Sequence, residues 1–367
     1  MKARSLSIVF IGLTLSSSWG NGHATTFRAL LRGLDRRGHR LVFLERDMPW
    51  YASHRDLSAP DFCELRCYDN VAELRREYAA MIGEADAVVI GSYVPEGVAV
   101  IEAVSSLCTG QLCFYDIDTP VTLAKLERGD REYLAQRQIP LFDIYFSFTG
   151  GPTLARLQEE FGACRAEALY CCVDHGRYRP TGEKVEWDLG YLGTYSPDRQ
   201  PGLERLLIEP ARRMPDRRFV VAGPQYPADI DWPDNVERID HLPPAEHPSF
   251  YSRQRFTLNI TRADMTAAGW SPSVRLFEAA ACGTPIISDV WAGLEDFFPD
   301  REAIHMASSS DDVERILTTV STALRARIAE AARSRVLASH TADARAREFE
   351  AHLLSSALPR RASASAA

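Results

Sequence analysis

No apolar run in this chain reaches the roughly 18 residues that a bilayer-spanning helix needs. The charge balance is not basic either: 42 Lys and Arg stand against 50 Asp and Glu, a formal net charge of −8. The first absence argues against a transmembrane segment. The second argues against a nucleic-acid partner, which ordinarily meets a basic face. Metal-ligand spacing is scarce as well. Among eight cysteines, Cys63 and Cys67 form a C-x3-C pair, but no second Cys or His pair follows to complete four zinc ligands. Cys108, Cys113, Cys164, Cys171 and Cys282 lie in or beside apolar runs, as small core residues do. Free thiols suit a reducing compartment, so a cytoplasmic location is expected. No repeat recurs at a fixed period beyond two similar α/β halves.

What is present is an ordinary soluble composition, 46% hydrophobic and 25% charged, over 367 residues, enough for about two domains. Arginine dominates the cations. At the N-terminus, Lys2 and Arg4 precede the apolar run Leu6 to Leu15, which has the look of a signal peptide. A buried first strand is the better reading, because strand, loop, helix and strand continue as one unit through Gly38-His39-Arg40-Leu41.

The pattern predicts strands at 5–13, 41–45, 63–68, 87–92, 111–115, 143–147 and 168–172, with helices at 24–37, 71–83 and 97–106 between them. Arg179-Pro-Thr-Gly-Glu-Lys184 has proline, glycine and charge without apolar periodicity, and reads as a linker. A second α/β unit follows, with strands at 187–192, 218–222 and 235–239 and helices at 201–214 and 310–333. The expected division is 1–180 as a first Rossmann-like domain, 185–335 as a second, a helix within 336–356 crossing back to the first, and a disordered tail at 357–367.

Residues 256–293 carry the clearest chemistry: a strand, a hydroxyl-rich loop, a helix, a Gly-Thr-Pro turn and another strand. Arg262 and Arg275 flank the helix N-terminus, where backbone N–H groups and guanidiniums suit a ligand's phosphates. Glu278, one turn into the helix, suits a ribose diol. The implied chemistry is binding of a nucleotide-sugar and transfer of its sugar.

Phe277-Glu-Ala-Ala-Ala-Cys-Gly-Thr-Pro-Ile-Ile-Ser-Asp289 resembles the glutamate-helix motif of GT-B nucleotide-sugar glycosyltransferases. Trp19-Gly-Asn-Gly-His23, Tyr115-Asp-Ile-Asp-Thr-Pro120, Leu192-Gly-Thr-Tyr195, Leu258-Asn-Ile-Thr-Arg262 and Arg275-Leu-Phe-Glu278 resemble the CgeB-like, spore-maturation-type members. The resemblance covers nearly the whole chain and implies two doubly wound parallel-sheet domains facing a cleft. It implies that Glu278 binds the ribose, and that Gly193, Tyr195, Arg199, Thr261, Arg262, Ser273 and Arg275 serve the diphosphate and sugar. It also implies that Gly223, His241 and Leu242 frame the base. Trp270 stands where many retaining members carry a further glutamate.

A second similarity, to inverting transferases of small molecules, lies in Gly22-His23, the helix after it and Arg37-Gly-His39. It implies that His23 is the catalytic base, oriented by Asp118 or by Asp116. Trp19, Gly20, Asn21, Gly22, Trp50 and Tyr51 are then expected on the acceptor side. The leaving diphosphate can be met by arginine and helix N-termini, so no cofactor and no metal are expected. Asp116-Ile-Asp118 has the Asp-x-Asp form of a metal site but falls in the first domain. UDP is the expected nucleotide and inversion the expected outcome, with the acceptor unassigned among polysaccharide, protein and small metabolite. The alternatives are a non-catalytic binding or partner subunit of the same fold, and a nucleotide-sugar epimerase.

Overall fold

The stretch Ala87–Gly91 reads AVVIG, and all of it is buried. Strands buried on both faces belong inside a parallel sheet covered by helices. The structure is a computed structural model that describes residues 4–19 and 22–355. The expected acceptor-side Gly20 and Asn21, and the expected disordered tail 357–367, lie outside the described residues. The chain falls into two units, residues 1–172 with 342–367, and residues 173–341.

The first unit holds β1 (Ser7–Gly12), β2 (Arg40–Arg46), β3 (Glu64–Tyr68), β4 (Ala87–Gly91), β5 (Gln111–Asp116), β6 (Ile144–Ser147) and β7 (Ala166–Ala168). They form one parallel sheet in the order β3-β2-β1-β4-β5-β6-β7. Strand order reverses at β1 and β4, and the loops leaving their C-terminal ends diverge there to make the crevice in which doubly wound sheets bind ligands. The helix His23–Arg36 follows β1 and buries Phe27, Leu30, Leu31 and Leu34. The last helix, Ala342–Ser355, packs on it at Gly33, where a Cβ would stand 2.4 Å from the Ala342 carbonyl oxygen. Phe349 of that helix meets Phe146 (5.2 Å) and Phe10 (6.0 Å), and Glu350 pairs with Arg37.

The second unit repeats the scheme with β8 (Trp187–Leu192), β9 (Phe219–Ala222), β10 (Val236–Ile239), β11 (Gln254–Asn259), β12 (Ile286–Ser288) and β13 (His305–Met306). Their order is β10-β9-β8-β11-β12-β13, again parallel throughout, and the reversal falls between β8 and β11.

Several predicted elements are corrected. The 71–83 helix is two, Val71–Glu77 and Ala79–Glu84, and the 310–333 helix is Ser310–Thr319 and Thr322–Ser339, with Ser321 capping the second by accepting the Leu324 N–H. The 201–214 helix contains a wide π turn at Glu204–Ile208, just before Pro210, which has no N–H to continue a regular ladder. The strand expected at 168–172 pairs only over Ala166–Ala168. A helix missed by periodicity, Thr119–Glu127, opens directly after Asp118 with proline in its first turn.

Candidate functional site

At the β8/β11 reversal, Gly193 follows β8 and Gly223 follows β9. Gly223 has φ +140°, and a Cβ there would stand 2.1 Å from the Gly193 carbonyl oxygen. The two loops touch backbone to backbone, and the Gly193, Gly223 and Tyr195 N–H groups are taken by the Ala222, Ile239 and Pro224 carbonyls. Tyr226 donates to the Gly193 carbonyl (3.1 Å), and its ring lies edge-on to Tyr195 (5.6 Å). Arg238 covers Tyr226 at 4.1 Å and Trp232 at 4.7 Å while donating to the Gly223 carbonyl.

Arg199 and Arg275 face this place. Arg199 donates through Nη2 to the Thr194 carbonyl (2.7 Å), but its Nε is buried without a partner among the described residues. Burial holds its pKa below the ordinary value, and Arg275 is among the groups that depress it further. Arg275 lies over Tyr191 (5.3 Å) and donates to Asn259 Oδ1 (3.0 Å). Among the described residues, neither guanidinium has a carboxylate within 4.0 Å. Arg275, though buried, keeps its pKa above the ordinary value, with Glu278 among the groups that support its charge, so it is the buried Arg199, repelled by Arg275, whose charge an anion at this place relieves. Arg262 differs, since it lies 3.7 Å from Asp198.

A buried polar network fixes the loop between β11 and the helix Val274–Ala281. Asn259 Oδ1 accepts from Ser273 (2.7 Å) as well as Arg275, and its amide donates to Ser288 Oγ (3.0 Å). Asp289 accepts the Thr261 N–H (2.8 Å) and hydroxyl (3.0 Å). Burial raises the Asp289 carboxyl above its ordinary pKa, against the pull of those hydrogen bonds. Thr261, an expected sugar-side residue, thus has its hydroxyl engaged by Asp289.

Glu278 is buried on the helix Val274–Ala281. Its Oε2 accepts from the Tyr251 hydroxyl (3.0 Å), and His247 Nδ1 lies 4.0 Å away. His247 Nε2 is 3.2 Å from the Leu242 carbonyl oxygen, which can only accept, so the proton sits on Nε2. Leu242 thereby joins the Glu278 cluster through its backbone, whereas the His241 side chain is exposed. Trp270 adopts a left-handed conformation (φ +43°), packs over Gly293 and donates to Asp296 (2.6 Å).

In the first unit, His23 is the first residue of its helix and is buried, and its Nδ1 has no partner among the described residues. Its ring stands edge-on to Tyr93 at 5.2 Å. Burial lowers its pKa, and the Asp118 charge opposes that shift. Asp118 is half-buried just ahead of the helix Thr119–Glu127. Asp116 is fully buried and accepts from Tyr145 (2.6 Å) and Thr122 (2.8 Å). Burial pushes its carboxyl up to about 6. Of the two aspartates, Asp118 is the one whose charge acts on His23, while the Asp116 carboxylate is occupied by Tyr145 and Thr122. His39 sits before β2, where its Nδ1 accepts the Leu6 N–H (3.1 Å), a packing role.

Trp19 stacks on His54 at 4.5 Å, and Trp50, 58% exposed, lies 5.5 Å from the same ring. Tyr51 is half-buried beside them, and Gly22 precedes His23. Sequence reasoning missed what holds this loop. Buried Glu45 accepts the Leu15 and Ser16 N–H groups (2.5 and 3.0 Å), and Arg28 grips Asp56 with two hydrogen bonds (2.7 and 2.8 Å) while donating to the Leu15 carbonyl. The Arg28 charge holds the Asp56 carboxyl down to about 2, against its burial. A signal was present: Glu45 follows the apolar run 41–44 within β2 yet is buried, and Arg28 interrupts the apolar face of a helix. A second Asp-x-Asp, Asp229-Ile-Asp231, escaped the sequence reading, and its Asp231 lies 3.2 Å from Arg212. Among the described residues, no group of three or more His, Cys, Asp or Glu is arranged to hold a metal ion. No described helix is long and apolar enough to cross a membrane.

Residues 199–351 match the family model described as "Glycosyl transferase-like". No curated protein matches the chain by sequence. Solved structures match over both units. Sucrose-phosphate synthase from Thermosynechococcus elongatus is similar with a TM-score of 0.70 at 13% identity, covering 96% of this chain and 99% of that one. Anabaena HepE in complex with UDP-glucose gives 0.69 at 13%, covering 96% and 100%. An alpha-glucosyltransferase in complex with UDP and a mismatched DNA 13-mer gives 0.66 at 12%, covering 95% and 99%. The fold is that of the GT-B glycosyltransferases, two Rossmann-like parallel-sheet domains.

Proposed function

We propose that the chain is a glycosyltransferase that moves a sugar from a nucleotide-diphosphate sugar, with UDP as the favoured nucleotide, to an acceptor hydroxyl. The observation that carries this reading is the pair Arg199 and Arg275 gathered at the strand reversal, neither with a carboxylate within 4.0 Å among the described residues, within the span that matches the glycosyl transferase-like model. Glu278 in the same span supplies the acceptor oxygens for a ribose diol. The UDP-glucose and UDP complexes of structural neighbours support the choice of nucleotide.

In the transfer, the acceptor oxygen forms a bond to the anomeric carbon as the bond from that carbon to the diphosphate oxygen breaks. The leaving diphosphate gains negative charge, which Arg199, Arg275 and the N-terminal amides of the helix Val274–Ala281 stabilise without a metal. The acceptor proton passes to His23, whose new positive charge is offset by Asp118. Direct displacement inverts the anomeric carbon, and Trp270, held to Asp296 by its indole, supports inversion because it supplies no carboxylate to the sugar. The CgeB-like motifs favour that subfamily. The acidic net charge does not exclude a nucleic-acid acceptor, since a neighbour of this fold is found in complex with DNA.

Donor turnover tests the reading. Incubated with UDP-, GDP- and ADP-sugars, with water as a slow surrogate acceptor, EDTA-treated protein is expected to release one nucleoside diphosphate and a sugar of inverted anomeric configuration, both read by NMR. Turnover lost with EDTA and restored by magnesium contradicts metal independence, and a retained anomer contradicts direct displacement.

A further inference from the structure

Glu278 has a mount of its own. The helix His247–Ser252 brings Tyr251 to it, and the segment after the crossover into the second unit brings Tyr178, which is also buried. The Tyr251 hydroxyl donates to Glu278 Oε2 at 3.0 Å. The Tyr178 hydroxyl lies 3.2 Å from His247 Nδ1. The Leu242 carbonyl fixes the His247 proton on Nε2, so in the neutral ring Nδ1 accepts and Tyr178 donates. Thr284, in the turn after the Glu278 helix, donates to the Tyr251 carbonyl (2.7 Å) and locks the two helices together. The Leu242 carbonyl, the half-buried His247 and the buried Tyr178, Tyr251 and Glu278 thus form one connected set. Burial, and after it the Glu278 charge, push both phenols well above their ordinary pKa, so they act as donors and not as acids.

From this geometry we infer that Tyr251, directly, and Tyr178, through His247 4.0 Å from the carboxylate, are positioning residues for Glu278, holding its carboxylate in the one orientation that reads a ribose 2′,3′-diol and so setting the preference for ribo- over 2′-deoxyribonucleotides. The inference rests on the donor-site reading above. A carboxylate has about four lone-pair sites. Tyr251 occupies one on Oε2, and a diol needs two more in a fixed plane. A carboxylate free to rotate still attracts one hydroxyl but loses the bidentate match that makes the second hydroxyl count.

The test uses the full chain and calorimetric titration with whichever of UDP, GDP and ADP binds most tightly, paired with its 2′-deoxy counterpart. Glu278→Gln is expected to bring the ribo/deoxy affinity ratio close to one. Tyr251→Phe, which removes only a hydroxyl, is expected to lower that ratio about tenfold while 2′-deoxynucleotide affinity holds. Tyr178→Phe is expected to lower it less, and carries the test if Tyr251→Phe does not fold. A ratio unchanged in the folded tyrosine variants but lost in Glu278→Gln overturns the positioning role and leaves the donor site standing. A ratio unchanged in Glu278→Gln, or no binding of any nucleotide by the wild type, overturns the donor-site reading and this inference with it. A tyrosine variant that weakens ribo- and deoxynucleotides equally shows a merely structural role and also overturns it.

Discussion

Replacing His23 with alanine is expected to lower kcat by about 10²–10⁴ while leaving nucleotide affinity unchanged, because the residue belongs to the acceptor's proton and not to the donor. The pH profile makes the assignment sharper. The base must be neutral to accept a proton, so kcat/KM falls as pH drops through its pKa. Burial depresses that pKa below the ordinary 6.5, with Asp118 opposing the shift. The acid limb is therefore expected below pH 6.5. Removing the opposing charge in Asp118→Asn is expected to move the limb to still lower pH while kcat falls, because nothing then offsets the imidazolium. Asp116→Asn is expected to leave the limb in place and act on stability, since its carboxylate is occupied by Tyr145 and Thr122. Full turnover in a folded His23→Ala protein removes His23 from the mechanism.

Arg275→Ala is the second large effect, a loss of about 10²–10³ in kcat/KM. Most of it is expected in kcat, because the diphosphate gains charge as the sugar leaves and an interaction that strengthens with that charge acts on the transition state. Arg275→Lys is expected to recover only part. The guanidinium donates to Asn259 Oδ1 and can still turn a nitrogen toward a phosphate, whereas a single ammonium serves one of these at a time. Circular dichroism checks that each variant is folded. An Arg275→Ala protein whose KM alone rises shows instead uniform binding of donor and transition state.

The sequence made the architecture legible because the central strands of both sheets are buried on two faces. Runs such as Ala87–Gly91 and Phe219–Ala222 are apolar throughout and stand out without periodicity. Glycines at loop starts were equally readable. Gly223 sits where any side chain meets the Gly193 carbonyl, so only one residue type fits. Helix breaks were not readable, because Val71–Glu77 and Ala79–Glu84 share one apolar face and part at Tyr78, whose φ of −112° no composition announces.

The candidate site divides along the same line. Glu278 and Arg275 lie one turn apart on a helix, a local pattern that sequence carries directly. Their partners come from other segments: Tyr251 from 27 residues upstream of Glu278 and Asn259 from 16 residues upstream of Arg275. Pairings of that reach depend on which strands neighbour one another, and the β8/β11 reversal appears only in the fold. The Arg28–Asp56 clamp on the loop after β1 is of the same kind.

The central claim is a donor site built around Glu278, and a thermal-shift panel tests it most directly. UDP, GDP, ADP and TDP, with their common sugars, are added to wild type and to Glu278→Ala. At 100 times its dissociation constant a bound nucleotide stabilises by about 2.7 kcal/mol, which is a rise of roughly a few degrees in Tm for a chain of this size. One nucleotide is expected to raise the wild-type Tm and leave Glu278→Ala where it was. Equal shifts in both proteins, or no shift in a folded wild type with any nucleotide, contradict the account.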